Sequence, residues 1–319
     1  MNNATVSLQE VDRVEVLTLM DNYVDVLLTN TDVVYRPPLA KDGRIPADTL
    51  VAEHGLSLLI TLYRDKETHT ILFDTGYSSV GVLHNMGLLE IDPADIEALV
   101  ISHGHMDHTG TLYPLLNKIP STVPLVVHPD AFLSPRYFAL DDGRKLLFPE
   151  TLKKAELEKR NVQVLESRAP TLIAGDTALV TGEVERTTTF EKGLPNALLE
   201  RNGVIEKDPI LDDQAIAVNL KGKGLVIISG CAHAGIMNTI LYAMKRTGIS
   251  SIQAVLGGFH LSGAFFEPII EDTIKELKKL APEVLVPMHC TGWKAINRFS
   301  QEFPNAFILN SVGSRFTIS

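Results

Sequence analysis

The chain has 319 residues, 45% of them hydrophobic and 21% charged, with a formal net charge of −10. That length buries a large core, as one big domain or two small ones, and the composition is ordinary for a globular enzyme. The acidic balance argues against a nucleic-acid partner, which calls for a basic footprint, but leaves room for a small phosphorylated substrate held by metals and a few local cations.

The opening residues Met1-Asn2-Asn3-Ala4-Thr5 lack the basic and apolar regions of a signal peptide, and no apolar run is long enough to span a bilayer. No membrane partner is expected. Val14 to Met20 reads as a strand ending at an Asp21-Asn22 turn, followed by a polar surface excursion through Pro37-Pro38 and Gly43. Leu56 to Tyr63 and Thr70 to Phe73 read as paired strands around Arg64-Asp65-Lys66-Glu67, the second running into Asp74-Thr75-Gly76. Asp92-Pro93-Ala94-Asp95 predicts a helix start, with Asp92 as N-cap and proline at the first helical position. Ala98 to Ser102 is a short buried strand. The stretch from Ser134-Pro135-Arg136-Tyr137-Phe138 through Gly143-Arg144-Lys145 to Pro149 mixes aromatics with cations. It is either a lid that stacks on an aromatic, phosphorylated substrate or a solvated loop packed by its own aromatics.

The second half repeats one grammar: buried strand, loop bearing a metal-capable side chain, helix. Leu225 to Ser229 leads to Gly230-Cys231-Ala232-His233, and a helix from about Ile236 to Thr247 follows, closed by Gly248. Ile252 to Leu256 leads to Gly257-Gly258-Phe259-His260. An amphipathic helix follows, with Pro268 near its start and Ile270, Ile274, Leu277 and Leu280 on one stripe. Val284 to Pro287 delivers Met288-His289-Cys290-Thr291-Gly292. Sites of α/β proteins lie beyond the carboxyl ends of their strands, so these loops can converge on one crevice. No stretch reads as a linker, so residues 1–319 read as one domain, with a lid or insertion around 133–150.

The decisive motif is His103-Gly104-His105-Met106-Asp107-His108, four metal-capable side chains in six residues. They cannot share one face of a regular helix or strand, but a loop can curl them around a cation pair. His103 and His105 then reach one metal while Asp107 and His108 turn to a second. Imidazole with carboxylate suits two divalent ions, zinc first, with iron or manganese as alternatives. His289, at the end of a buried strand, is the candidate for the last ligand of the second metal; the bland alternative is a backbone-bonded histidine. His233 and His260 are either ligands or substrate-facing donors, and with Asp107 they are the candidates for handling protons. Cys231 is either a soft ligand or a small buried residue, and for Cys290 the second role is expected. Glu183 coordinates, orients a ligand histidine, or pairs with Arg186. His69, His84 and His128 carry no supporting spacing. Two cysteines give no disulfide framework, which points to a reducing cytoplasm.

The run His103-x-His105-x-Asp107-His108 preceded by Asp74-Thr75-Gly76 resembles the metallo-β-lactamase superfamily across nearly the whole chain. The resemblance implies an αββα sandwich of two stacked mixed sheets with helices on the outer faces. It also implies a one- or two-metal site at one edge of the sheets, supported by Asp74 from behind a ligand. Glu53-His54-Gly55-Leu56-Ser57, Thr181-Gly182-Glu183, Ser229-Gly230-Cys231-Ala232-His233-Ala234-Gly235, Gly257-Gly258-Phe259-His260-Leu261 and His289-Cys290-Thr291-Gly292 resemble one subfamily. It is the group named for 7,8-dihydropterin-6-methyl-4-(β-D-ribofuranosyl)aminobenzene-5′-phosphate synthase. The resemblance implies a transferase that joins a dihydropterin methyl diphosphate to an arylamine riboside phosphate, and it places His54 toward the site. Hydrolytic members of the superfamily have a bridging aspartate where Cys231 stands, and the segment near Glu183 offers no third histidine. The first metal must therefore be completed by His233, His260 or Cys231. Hydrolysis of a phosphoester, lactone or thioester is the rival chemistry. A metal-bound sensor is disfavoured by the intact ligand run, and diiron redox chemistry by the absence of length for a flavin domain.

Overall fold

Along the strand Ser57–Arg64, Leu58, Ile60 and Leu62 face one apolar cluster and Leu59 another, and all four are buried. Gly224–Ser229 behaves alike, with Val226 and Ile228 on one side and Leu225 and Ile227 on the other. Because strand side chains alternate, a strand apolar on both faces must be covered on both. That demand produces four layers. The computed structural model, which describes residues 5–120, 122–160 and 162–319, shows the expected αββα sandwich; of the opening stretch read above, residues 1–4 lie outside the described residues.

One mixed sheet runs in the order Val164–Glu166, Leu125–Val127, Ala98–Val100, Glu67–Phe73, Ser57–Arg64, Arg13–Met20, Arg315–Ile318, Val34–Tyr35. The other runs Thr171–Ile173, Ala178–Val180, Ala215–Leu220, Gly224–Ser229, Ile252–Gly258, Val284–Met288, with Glu10–Val11 alongside Ala215–Leu220. Between them Val16, Ile60, Phe73 and Val100 meet Val218, Ile228, Leu256 and Val286. The helices Ile236–Thr247, Ile270–Leu280 and Trp293–Glu302 cover the outer face of the second sheet through Ile240, Ile274, Leu277 and Phe299. Shorter helices cover the first through Val82, Met86, Leu112 and Leu157. Each fully buried side chain of this kind stabilises the fold by about 1.5–3 kcal/mol.

Several elements form as their sequences direct. Gly248 takes the left-handed conformation that closes its helix, at φ 73. Pro268 sits in a 3₁₀ turn, Glu267–Ile269, just before its helix. The hairpin at 64–67 is tighter than expected, with Glu67–Phe73 a full strand and Asp65 in the left-handed region at φ 52. The helix expected at Asp92 does not develop. Asp92 caps as predicted, accepting from the Ala94 amide at 2.9 Å, but only the 3₁₀ turn Pro93–Asp95 follows. Ile96 already takes extended dihedrals, and the strand Ala98–Val100 starts two residues later.

The segment around 133–150 is neither a free loop nor a plain lid. Its strands Arg136–Ala139 and Lys145–Leu147 join the hairpin Ala197–Arg201 and Val204–Lys207 in a separate four-stranded sheet. Among the described residues no helix is long and apolar enough to cross a membrane.

Candidate metal centre

The strand Ala98–Val100 leads through Ile101 and Ser102 to His103, and the backbone then folds so tightly that only glycine fits at 104: a Cβ there would lie 2.1 Å from the Ala131 carbonyl oxygen. A single turn, Met106–Thr109, follows, and Asp107 and His108 fall in a different group from His103 and His105. Loops from the second sheet close over this motif, carrying Cys231 and His233 beyond Gly224–Ser229, His260 beyond Ile252–Gly258 and His289 beyond Val284–Met288. Asp74, Ala232, His260 and His289 all adopt left-handed backbone, at φ 62, 54, 46 and 53. Strain of that kind persists where surrounding structure imposes it, typically at functional sites.

Two groups result. In the first, His103 Nε2 lies 2.9 Å from His105 Nδ1 and 3.2 Å from His233 Nε2. All three rings are buried. Burial, reinforced by neighbouring imidazoles and Arg136, lowers their pKa values, that of His105 to about 4. Burial thus favours the neutral form, whose ring nitrogens lie close enough to share one cation. Phe148 stacks on His105 with ring centroids 5.0 Å apart.

In the second group, Asp107, His108, Cys231 and His289 converge. His108 Nε2 is 3.2 Å from Cys231 Sγ and 3.7 Å from Asp107 Oδ2, and His289 Nε2 is 3.4 Å from Asp107 Oδ2. Burial opposes charge on Asp107, yet His108 and His289 hold its carboxyl well below the usual carboxylate range. Burial likewise works against a proton on His108, but the carboxylates of Asp74 and Asp107 outweigh it and raise the pKa to about 9. This pocket attracts positive charge.

The donors fit divalent metal. His289 Nε2 is buried without a hydrogen-bond partner although it faces a carboxylate and a thiol. Three ring nitrogens crowded within 2.9–3.2 Å are hard to satisfy by hydrogen bonds alone, since a neutral imidazole has one donor and one acceptor. One all-nitrogen group and one of nitrogen, oxygen and sulfur suit zinc, with iron or manganese also accommodated.

The supports are those a metal site needs. Asp74, fully buried, reaches His108 Nδ1 at 2.6 Å and accepts from the Ser102 amide at 2.7 Å. Ser102 Oγ contacts His103 Nδ1 at 3.0 Å. Asp21 accepts from the His289 amide at 2.9 Å, and Asn22 donates to the His289 carbonyl at 3.1 Å. Asp21, Asn22 and Ser102 escape sequence reasoning because nothing about a turn Asp-Asn or a strand-end serine marks it as serving a distant histidine.

The structure places the remaining candidates close together, with Cys231 and His233 also forming a third group with His260. His233 sits with His103 and His105, while His260 sits with Cys231 and His233, its ring 4.2 Å from that of His233. Cys231 lies within the second group. Cys290 is buried beside it, donating to the Cys231 carbonyl at 3.5 Å. His54 is largely exposed and reaches within 3.8 Å of Asp107 Oδ2. Glu183 is the misplaced residue. Rather than joining either metal group or pairing with Arg186, it lies 3.8 Å from His128 Nε2 and 3.6 Å from Arg168. Arg186 donates to the Pro209 carbonyl. His128, ordinary by sequence, is wholly buried and accepts from the Asp130 amide.

A cavity of about 180 Å³ opens beside His233 and His260. Phe190, Phe259, Phe265 and Phe266 wall it, and Lys192 and Lys207 also line it. Of the cations anticipated at 134–149, Arg136 is buried in ion pairs with Asp212 and Asp208, and Arg144 pairs with Asp142. The aromatic and cationic lining of the cavity thus comes from other segments.

Residues 53–289 match the family model described as the metallo-beta-lactamase superfamily. The chain is 36% identical over 263 residues to 7,8-dihydropterin-6-methyl-4-(beta-D-ribofuranosyl)-aminobenzene-5'-phosphate synthase of Methanocaldococcus jannaschii, covering 80% of this chain and 87% of that protein. A second, uncharacterized protein of the same organism is 32% identical over 266 residues, covering 82% and 92%. Among solved structures, a metal-dependent hydrolase of the beta-lactamase superfamily superposes with a TM-score of 0.70 at 27% identity, covering 96% of this chain and 98% of that one.

Proposed function

The chain belongs to the metallo-beta-lactamase superfamily, and from that premise we propose that it is a two-metal enzyme whose substrate is a phosphorylated small molecule, in the first instance a pterin-linked transferase that releases diphosphate. The observation that carries this reading is the cavity beside His233 and His260, which pairs aromatic walls with Lys192 and Lys207 directly next to the metal-binding groups. The identity to the M. jannaschii synthase over most of both chains supports it.

His103, His105 and His233 would hold one divalent ion, and Asp107, His108, Cys231 and His289 the other; zinc fits both sets, with iron or manganese as alternatives. Metals so placed neutralise negative charge developing on oxygen. In the transfer, the bond between the pterin methylene carbon and the diphosphate oxygen breaks and a bond to the arylamine nitrogen forms, with loss of one proton from that nitrogen. The phenylalanines would hold a planar ring by stacking and exclude water from the carbon under attack. Lys192 and Lys207 would take the phosphate charge. His260, whose Nδ1 is buried without a hydrogen-bond partner, borders the same cavity and is the side chain placed to receive the proton. His54, at the exposed edge near Asp107, would contact substrate rather than metal.

Hydrolysis of a phosphoester, lactone or thioester is the second reading, favoured by the structural match to a metal-dependent hydrolase. The same residues serve it, with water in place of the arylamine. Neither nucleic acid nor membrane is a partner in either reading, and two free buried cysteines accord with a cytoplasmic setting.

Elemental analysis of the purified protein, run beside assays for diphosphate release from a pterin methyl diphosphate and for phosphodiester cleavage, separates the readings. Two metals with diphosphate release dependent on an arylamine acceptor is the expected result. Two metals with phosphodiester cleavage alone would replace the transferase by the hydrolase.

A further inference from the structure

The three imidazoles of the first group come from two stretches of chain far apart in sequence. The loop Asp212-Asp213-Gln214 lies between them. Asp212 Oδ2 accepts from the amide of Gly104, the residue between His103 and His105, at 2.8 Å. Asp213 Oδ2 accepts from the amide of Ala234, the residue after His233, at 2.9 Å. Gln214 adds two bonds to the strand feeding the motif, from its amide to the Ser102 carbonyl at 3.0 Å and from Nε2 to the Ile101 carbonyl at 2.8 Å. All three side chains are buried.

We propose that Asp212 and Asp213 are the positioning pair of the first metal group, one carboxylate gripping each of the two chain segments whose histidines must meet. This rests on the two-metal reading above. Bonds from backbone amides to ionised carboxylates are short and strong, and adjacent residues have little freedom to move apart. On its other side the Gly104 loop abuts the Ala131 carbonyl, so Asp212 holds it in a slot rather than merely tethering it. Asp212 is itself locked by Arg136, which donates Nη1 to Oδ2 at 3.1 Å and Nη2 to Oδ1 at 2.7 Å. Arg136 also donates to the Asp130 carbonyl at 2.9 Å and pairs with Asp208 at 3.1 Å. Because Arg136 opens the strand Arg136–Ala139, the small four-stranded sheet is bolted to the loop that carries His103 and His105. The second metal group is served instead by Asp74, Asp21 and Asn22.

Cobalt(II) titration of the full chain tests the pair, because the two groups report differently. Cobalt at the Cys231 group gives a thiolate charge-transfer band in the near ultraviolet, while the all-imidazole group gives visible bands alone. D213A should weaken cobalt binding at the imidazole group by about 10–100-fold, as loss of such supports typically does, and leave the thiolate band and its titration unchanged. D213N, whose amide oxygen can still accept from Ala234, should restore most of the loss. D212N should weaken binding at the same group, because the amide nitrogen that replaces Oδ1 cannot accept from Arg136 Nη2 and the charge that pairs with the guanidinium is lost. If D213A does not fold, D212N decides on its own. Wild-type affinity at both groups in the variants, or an equal loss at both, would overturn the positioning role. A wild-type chain that takes up no cobalt would overturn the two-metal reading itself.

Discussion

The two metal groups share a six-residue loop and differ in almost everything else. The first is three buried imidazoles, held from behind by Asp212 and Asp213 through backbone amides. The second gathers a carboxylate, two imidazoles and a thiol, with Asp74 bonded directly to a ligand ring. One offers ring nitrogens alone, the other adds a carboxylate and a sulfur. The contrast teaches that one short loop can feed two different donor sets, because the single turn Met106–Thr109 separates His103 and His105 from Asp107 and His108.

The strongest way to break the comparison is to remove one ligand from each side. The H103A/H108A double variant should bind no metal and melt at lower temperature. Metal at 100-fold above its Kd stabilises by about 2.7 kcal/mol per site. Elemental analysis with calorimetry checks this, and retained metal would refute both assignments together.

On the first side a pH signature sits behind His233. Glu191 accepts from the amides of Met237 and Asn238 and from the Thr188 hydroxyl, anchoring the helix Ile236–Thr247. Burial nevertheless raises its pKa from 4.5 to about 7. A carboxyl with a raised folded pKa binds its proton more tightly in the native state. Stability from this group is therefore full below pH 4.5 and is lost as pH rises toward 7, on the order of 3 kcal/mol by the pKa difference. Chemical unfolding of E191Q across that range should show a flatter slope than wild type, whatever its absolute stability; an identical slope would dissociate Glu191 from the effect.

The gentlest change sharpens the difference from the second side. C231S should lower metal affinity there by about tenfold or more and abolish any thiolate-to-cobalt band, while the imidazole group titrates as before. Preserved stoichiometry and affinity would remove Cys231 from the coordination sphere.

Much of this architecture is legible in the amino-acid sequence. Apolar runs such as Ala98 to Ser102 and Leu225 to Ser229 announce buried strands, and a histidine or cysteine just past each announces a shared crevice. His103, His105, Asp107 and His108 are close neighbours in the chain, so dividing them between two metals needs only the rule that a loop can curl. What stays hidden is whatever acts across long separations without a pattern of its own. Asp212, Asp213, Asp21 and Ser102 look like turn or strand-end residues, and their roles are set by the backbone amides and rings of loops far away in the chain. Glu183 misleads for the converse reason: a carboxylate between glycine and valine near strand-end loops carries no signal of direction. The hairpin at 197–207 escapes notice because its strands are short and half exposed, with no alternation to count.

The order of strands in the first sheet bears on when, rather than how, the centre comes into being. The strand Arg315–Ile318 inserts between Arg13–Met20 and Val34–Tyr35, so a sheet begun by early residues is completed by much later ones. His289, too, arrives late. During synthesis the ribosome would release His103, His105, Asp107 and His108 long before their partners exist, onto a half-built sandwich unable to enclose a cation. A chain that stops short of His289 lacks one side chain of the second group, and without Arg315–Ile318 the first sheet loses the strand between Arg13–Met20 and Val34–Tyr35.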